Sequence, residues 1–388
     1  MRERDLSRLR SFTMAALFVW LSPAVTHPLA AQGAASPPST LAENSSADSI
    51  AADPVGPPMP PLFLPDRMER LLARAESMSA LTSLIVARRD SVLIENYYRG
   101  LRPSQTVNVK SVSKTLLSPM VGIAIRDSLL DGVNQPISDL LPDYFEILER
   151  TGSLDPRKNR IEIRHLLSMR TGIETASFGN YGAWVASSDW AYDQLRRPMV
   201  CDPGDCHEYS TGSTHLLSVI LTRRSGKSLR SYMLDELFRP MGIALGEWDR
   251  DPQGRYLGGN NMSLRPRDML KFGQLFANGG RFNGRQLVPE EWITTSWRPT
   301  GSSPWNGHGY GYLWWTRHWG GERAYFAWGY GGQFIVVVPR LDLVIVATSS
   351  LRDRERGHTR QMWRFFDRYA VPAFKVGWGA ESRDEGLP

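Results

Sequence analysis

The chain has 388 residues, 41% of them hydrophobic, with 46 basic and 40 acidic side chains and a formal charge of +6. Forty of the 46 cations are arginines scattered along the chain, and no basic block interleaves with aromatics, which excludes nucleic-acid binding as the leading role.

The first 31 residues divide into an Arg-rich start (Arg2, Arg4, Arg8, Arg10), an apolar run from Phe12 to Val25, and the small-residue stretch Pro28-Leu29-Ala30-Ala31-Gln32. This is the pattern of a secretory signal peptide cut near Ala31, and it implies a periplasmic or secreted protein. The apolar run is short and interrupted by Pro23, so a membrane tether is expected only where the leader is retained. Residues 32–64, rich in Ala, Ser and Pro, read as a flexible tether. Residues 65–388 are then the folded domain, long enough for one large core.

Within that domain, Pro65 to Met78 has the period of an amphipathic helix, with Met68, Leu71, Leu72 and Ala75 on one face. Leu84–Ala87 and Val92–Tyr98 flank Arg88-Arg89-Asp90-Ser91 as a β-hairpin. An apolar helix follows from Ser111 to about Leu130. From about 131 to 290 the pattern is mostly helical, clearest over Ile161–Met169, Ser213–Arg224, Leu229–Phe238 and Arg265–Asn278. Gly309–Trp315, Arg323–Trp328, Gln333–Val338 and Leu341–Thr348 then read as strands, and His358–Tyr369 as a last helix. Two strands before the helical stretch and three or four after it predict an α+β fold. Its antiparallel sheet, of about five strands, is built from both ends of the domain, flanked by helices, with a helical region inserted.

Ser111 and Lys114 form the only Ser-x-x-Lys of the chain, in Lys110-Ser111-Val112-Ser113-Lys114-Thr115, at the head of the apolar helix. Residues three apart share a helix face, so hydroxyl and amine come within hydrogen-bond reach. The helix N-terminus adds free N–H groups and a field that suits an alkoxide or an oxyanion. Lysine serves as base there only where burial or charge lowers its pKa from about 10.4 toward neutrality. Ser113 and Ser118 precede no lysine by three and read as packing or polar support.

Cys201 and Cys206, the only cysteines, bracket a Pro-Gly turn and read as a disulfide in an oxidising compartment. A thiolate–imidazole metal cluster with His207 is the alternative, but it lacks a second ligand pair, and no metal or cofactor is expected. Tyr209-Ser210-Thr211-Gly212 follows at a loop–helix junction. A phenol over the Ser–Lys pair would carry a proton between serine and leaving group; a structural tyrosine is the other reading. Gly329-Tyr330-Gly331-Gly332-Gln333 precedes an apolar strand. Its glycines allow close approach of a backbone N–H to a ligand, and equally suit a tight hairpin.

Taken in order, these motifs resemble the serine β-lactamase and penicillin-binding-protein superfamily over roughly residues 65–375, in particular its class C-related branch of esterases, D-amino-acid peptidases and 6-aminohexanoate-dimer hydrolases. The resemblance rests on Ser111-Val112-Ser113-Lys114, Ile163–Ile173, Pro203-Gly204 with Tyr209-Ser210-Thr211, and Gly329–Gln333. It implies acylation of Ser111, a coupled acid/base pair of Lys114 and Tyr209, and an oxyanion hole from the N–H groups of Ser111 and Tyr330. Three departures stand out. Thr211 replaces the class C asparagine, no Lys-Thr-Gly precedes the third strand, and Gly331 stands where nylon-oligomer hydrolases carry histidine. They argue against a penicillin carboxylate and for a neutral or differently charged substrate. Tyr181, Trp328, Gly329 and Gly331 are the expected substrate contacts, and an aromatic wall favours apolar acyl or aryl groups.

The expected activity is hydrolysis of a small ester or linear amide. A D,D-peptidase or β-lactamase, and a non-catalytic ligand-binding relative, are the competing readings. No Gly-x-Ser-x-Gly or His-Glu-x-x-His occurs, so His207, His215 and His308 read as structural. Gly226-Lys227-Ser228 lacks the upstream glycine of a phosphate loop. Oligomeric state is left open by the sequence.

Overall fold

The computed structural model describes residues 63–375; the expected leader and the tether up to residue 62 lie outside the described residues. Helix α1 (Pro65–Glu76) carries proline at its first position, where a missing N–H costs nothing, and buries Met68, Leu71 and Ala75 along one face. The hairpin β1 (Leu81–Arg88) and β2 (Ser91–Tyr97) follows, and Arg89 turns it with a positive φ of 53°.

Six further strands come after the helical region: β3 (Gly301–Ser302), β4 (Gly309–Tyr310), β5 (Trp315–Trp319), β6 (Glu322–Gly329), β7 (Gln333–Val338) and β8 (Leu343–Ser349). All eight form one antiparallel sheet in the order β2-β1-β8-β7-β6-β5-β4-β3. The N-terminal hairpin therefore joins the C-terminal strands through β1 and β8, as expected, but the sheet has eight strands instead of about five. Strands of two residues, such as β3 and β4, show no alternation to read. Gly309–Trp315, read as one strand, is a hairpin: Leu313 has φ 65°, and Tyr310 pairs with Trp315.

On one face of the sheet lie α2 (Val112–Arg126) and α4 (Pro266–Ala277). The α4 backbone at Gly273 approaches Val344 and Ile335. On the other face lies α6 (His358–Phe365), whose continuation places Phe366 against Trp319 and Phe334 at 4.9 and 5.1 Å between ring centres. Helix α2 is buried from Val112 to Ala124, because the sheet covers one side of it and α3 (Thr211–Ser225) another. A helix apolar all round is a core helix. Gly122 lets α5 (Glu290–Trp297) dock there, since a Cβ at that position would lie 2.5 Å from the Trp292 ring. Ser111 thus opens a rigid element at the junction of sheet and helical region.

Helix ends shift where the backbone leaves the right-handed region. Met169 at φ 59° cuts the expected Ile161–Met169 helix to Ile163–Leu167, and Ser128 at φ 56° follows the end of α2 at Arg126.

Candidate active site

The serine is set by the turn before it. Val107 and Asn108 pair with Leu264 and Ser263 in a short ribbon, and Lys110 then adopts φ 51°. A lysine tolerates this left-handed conformation because its surroundings hold it. Its N–H donates to Asn108 Oδ1 at 3.0 Å, its Nζ to Asn261 Oδ1 at 3.0 Å, and its carbonyl accepts from Ser113 Oγ at 2.6 Å. Ser113 Oγ also accepts from the Met262 N–H at 3.2 Å, while Ser118 Oγ accepts from the Trp292 indole at 3.3 Å, so both serines are structural. The turn releases Ser111 as the residue capping α2, half-buried, with its hydroxyl facing the helical region.

Lys114 is 1% exposed. Its Nζ lies 3.1 Å from Ser111 Oγ, 3.0 Å from Thr211 Oγ1 and 2.7 Å from the Gly259 carbonyl oxygen. Among the described residues no carboxylate bonds it, and burial lowers its pKa from the usual lysine range to about 7. Thr211, standing where class C enzymes carry an amide, is part of this support: its backbone N–H donates to Ser177 Oγ at 2.8 Å, and the two hydroxyls are 2.9 Å apart.

Tyr209 completes the group. Cys201 and Cys206 are joined as a disulfide, which rules out their use as thiolate ligands, and Tyr209 lies three residues beyond the closed loop. The Tyr209 carbonyl accepts from Thr175 Oγ1 at 2.6 Å, and the neighbouring Glu208 N–H donates to the Met169 carbonyl at 2.8 Å. The ring stacks on Trp315 at 5.5 Å and lies 5.0 Å from Lys114 Nζ. Burial raises the phenol pKa well above 10, and a hydrogen bond with Ser111 opposes part of that rise.

The third motif reaches the site through its backbone. At Gly329 an added Cβ would lie 2.2 Å from the Val109 carbonyl and 3.2 Å from Lys110 Cβ, so the end of β6 is pressed against the residues that precede Ser111. The Tyr330 side chain turns outward, 59% exposed, and stacks under the Arg354 guanidinium at 4.2 Å. Gly331 faces Leu351. Tyr181 sits beside the lysine's carbonyl anchor, its hydroxyl accepting from Asn260 Nδ2 at 3.1 Å. Trp328 lies one ring further out than expected. It faces α6, touching Trp363 at 5.6 Å, and Trp305 lies between it and Tyr209 at 5.7 and 6.3 Å.

Two aromatics that sequence reasoning passed over form the mouth of the site. Phe178 and Trp305, 62% and 46% exposed, meet edge to face at 5.7 Å beside Tyr209. Phe178 opens a single 3-10 turn (Phe178–Asn180) and Trp305 stands in a turn, neither long enough to show a periodicity; large apolar side chains in polar surroundings were the available signal. Trp314 belongs to the core against Phe272 and Phe276, and Trp184 and Trp190 to a buried cluster with Leu257. The histidines stand apart from Ser111. His215 pairs with Asp251 at 3.0 Å in the interior, and burial holds His207 and His308 at a pKa of about 4. Among the described residues no cluster of His, Cys, Asp or Glu is arranged to hold a metal.

The chain was compared with known proteins once this geometry was in hand. A sequence model of the family described as beta-lactamase matches residues 75–365. A 6-aminohexanoate-dimer hydrolase from Paenarthrobacter ureafaciens is 23% identical over 330 residues, covering 76% of this chain and 78% of that protein. A penicillin-binding protein homologue from Caulobacter crescentus superimposes with a TM-score of 0.63 at 12% identity, over 80% of this chain and 98% of that one. EstCE1, a hydrolase with promiscuous acyltransferase activity, does so with a TM-score of 0.61 at 16% identity, over 78% and 98%. The sheet joining N- and C-terminal segments, the buried serine helix on one of its faces and the family match across three quarters of the sequence agree, and the chain belongs to the β-lactamase family of serine hydrolases.

Proposed function

We propose that the protein hydrolyses an ester or a linear amide through an acyl-Ser111 intermediate. The observation that carries this reading is the set of partners around Lys114. A neutral amine has two N–H bonds and one lone pair. The Gly259 carbonyl and Thr211 Oγ1 accept the two N–H bonds, which leaves the lone pair for the Ser111 hydroxyl. With a pKa of about 7, much of Lys114 is in that form at neutral pH.

Ser111 Oγ attacks the substrate carbonyl while its proton passes to Lys114. The developing oxyanion is held by the N–H groups of Ser111 and Tyr330. Tyr209, kept protonated by its raised pKa, donates to the leaving group and recovers a proton from Lys114. The C–O or C–N bond breaks and the acyl group remains on Ser111. Water then repeats the sequence, losing its proton to the same pair and releasing the acid. The walls of the mouth, Phe178 and Trp305, favour apolar acyl or aryl groups. An Arg-rich, apolar leader and the Cys201–Cys206 disulfide support a periplasmic or secreted location.

The test is intact-protein mass after mixing residues 32–388 with 4-nitrophenyl esters, a fluorophosphonate and a penicillin, beside Ser111→Ala. Ester turnover with a Ser111-dependent phosphonyl adduct is the expected result. A lasting penicilloyl adduct would replace this reading with a penicillin-binding peptidase. No adduct and no turnover would leave a ligand-binding protein without catalysis.

A further inference from the structure

The buried His215–Asp251 pair stands apart from Ser111 but next to the peptide that anchors Lys114. His215 lies one helical turn beyond Thr211 on α3, and residues four apart share a helix face. Thr211 bonds Lys114 directly, and His215 meets the segment that carries Gly259. Its Nε2 is 3.0 Å from Asp251 Oδ2, and its Nδ1 accepts from the Gly258 N–H at 3.4 Å. An N–H can only donate, so Nδ1 bears the lone pair and Nε2 the proton that Asp251 accepts. One neutral imidazole thereby fastens both ends of the segment 251–258.

Each end is held from elsewhere as well. Asp251 accepts from the Arg255 N–H at 2.8 Å and from its Nε at 2.6 Å, and Arg255 in turn donates to Tyr144 Oη at 2.7 Å and to Asp189 Oδ1 at 3.3 Å. Arg255 compensates the buried carboxylate and leaves the imidazole uncharged, its pKa lowered by burial against the pull of Asp251. The rings of Trp184 and Trp190 close over it at 5.8 and 5.5 Å. At the other end, Gly258 and Gly259 lie flat on α3. A Cβ on Gly258 would fall 2.1 Å from the Thr214 carbonyl oxygen, and one on Gly259 2.0 Å from Thr214 Oγ1. The Gly259 carbonyl then makes the 2.7 Å bond to Lys114 Nζ.

Resting on the acyl-Ser111 reading, we infer that His215 is a positioning residue: with Asp251 it fixes the Gly258–Gly259 backbone and so holds the Gly259 carbonyl on Lys114. The charged and titratable groups facing His215 are Asp251, Arg255 and Asp189; the one facing Lys114 among the described residues is Tyr209, its ring 5.0 Å away.

Two substitutions separate the two bonds of the imidazole. His215→Gln places an amide at the level of Nε2, which retains a donor to Asp251 and drops the acceptor for Gly258. His215→Asn places one at the level of Nδ1, whose oxygen accepts from Gly258 and leaves Asp251 to Arg255. The readout is the titration of Lys114 in the full chain, followed by NMR of lysine isotope-labelled at Cε. The Lys114 signal is the one of six that Lys114→Met lacks. In His215→Gln the midpoint is expected about one pH unit below that of the unmodified protein, because the charged lysine loses its closest acceptor; in His215→Asn it moves by less than about 0.3. Equal midpoints in all three proteins, or shifts of one size in both variants, would overturn the inference. A second reading needs no variant to fold: NMR of nitrogen-labelled histidine in the unmodified protein should show His215 as the Nε2–H tautomer, and the Nδ1–H tautomer would also overturn it. Turnover of 4-nitrophenyl acetate by the unmodified protein is measured alongside. Turnover with an unmoved lysine midpoint removes the positioning role and keeps the hydrolytic reading, and a moved midpoint without turnover does the reverse.

Discussion

The shortest bond made by Lys114 runs to Gly259, whose carbonyl oxygen lies 2.7 Å from Nζ, against 3.1 Å to the Ser111 hydroxyl. A carbonyl accepts from an ammonium and from an amine alike, so this bond anchors the lysine in both protonation states. The bond to serine can then reverse direction as the proton moves.

That arrangement sets a pH dependence. With Lys114 depressed to about 7 and active when neutral, kcat/KM for an uncharged ester should rise with pH through about 7 and level off above it. Stability should follow the same lysine. Between about pH 7 and 10.4 the unfolded chain holds a proton that folded Lys114 lacks, so folding stability rises with pH across that window. Urea midpoints at pH 7 and 9 read this contribution, and Lys114→Met should flatten it.

Thr211→Val keeps the shape and removes an acceptor from the lysine. One N–H is left unpaired in a buried site, and the charged form loses support. The expected result is a fall in kcat of about tenfold, with the midpoint of the pH profile moving below that of the parent. An unmoved midpoint would reduce Thr211 to a packing role.

The aromatic mouth predicts chain-length selectivity. Replacing Phe178 and Trp305 together by alanine removes apolar surface that a long acyl chain would cover. KM for 4-nitrophenyl octanoate should rise about tenfold relative to the acetate, with kcat little changed. Equal losses on both esters would show that the pair supports Tyr209 and does not contact substrate.

Gly122→Ala probes the docking of α5. The added methyl overlaps the Trp292 ring at 2.5 Å in the middle of a rigid helix, where overpacking costs about 1–3 kcal/mol. A corresponding drop in the urea midpoint is expected, because alanine's better helix propensity is too small to offset it.

By itself the sequence determined the features that depend on neighbours along the chain. Pro65, with Met68, Leu71 and Ala75 at helical spacing, marks α1; the apolar runs around Arg89-Asp90 mark the first hairpin; Gln333–Val338 reads as β7. The three-residue spacing of Ser111 and Lys114 already places both on one face of α2, and the order of motifs along the chain is the family's.

Only the tertiary structure decided what surrounds them. Gly259 lies 145 residues from Lys114 and Thr211 lies 97, and no local period carries those distances. Trp328 faces α6 because alternation on β6 gives the α2 side to Gly329, a choice set by which face packs where. Strands as short as β3 and β4 exist only as partners of a longer neighbour, and Phe178 and Trp305 meet only because two segments far apart in the chain converge beside Tyr209. Periodicity reports which side of an element is buried; the pKa of a buried lysine depends on everything the fold brings within hydrogen-bond reach of it.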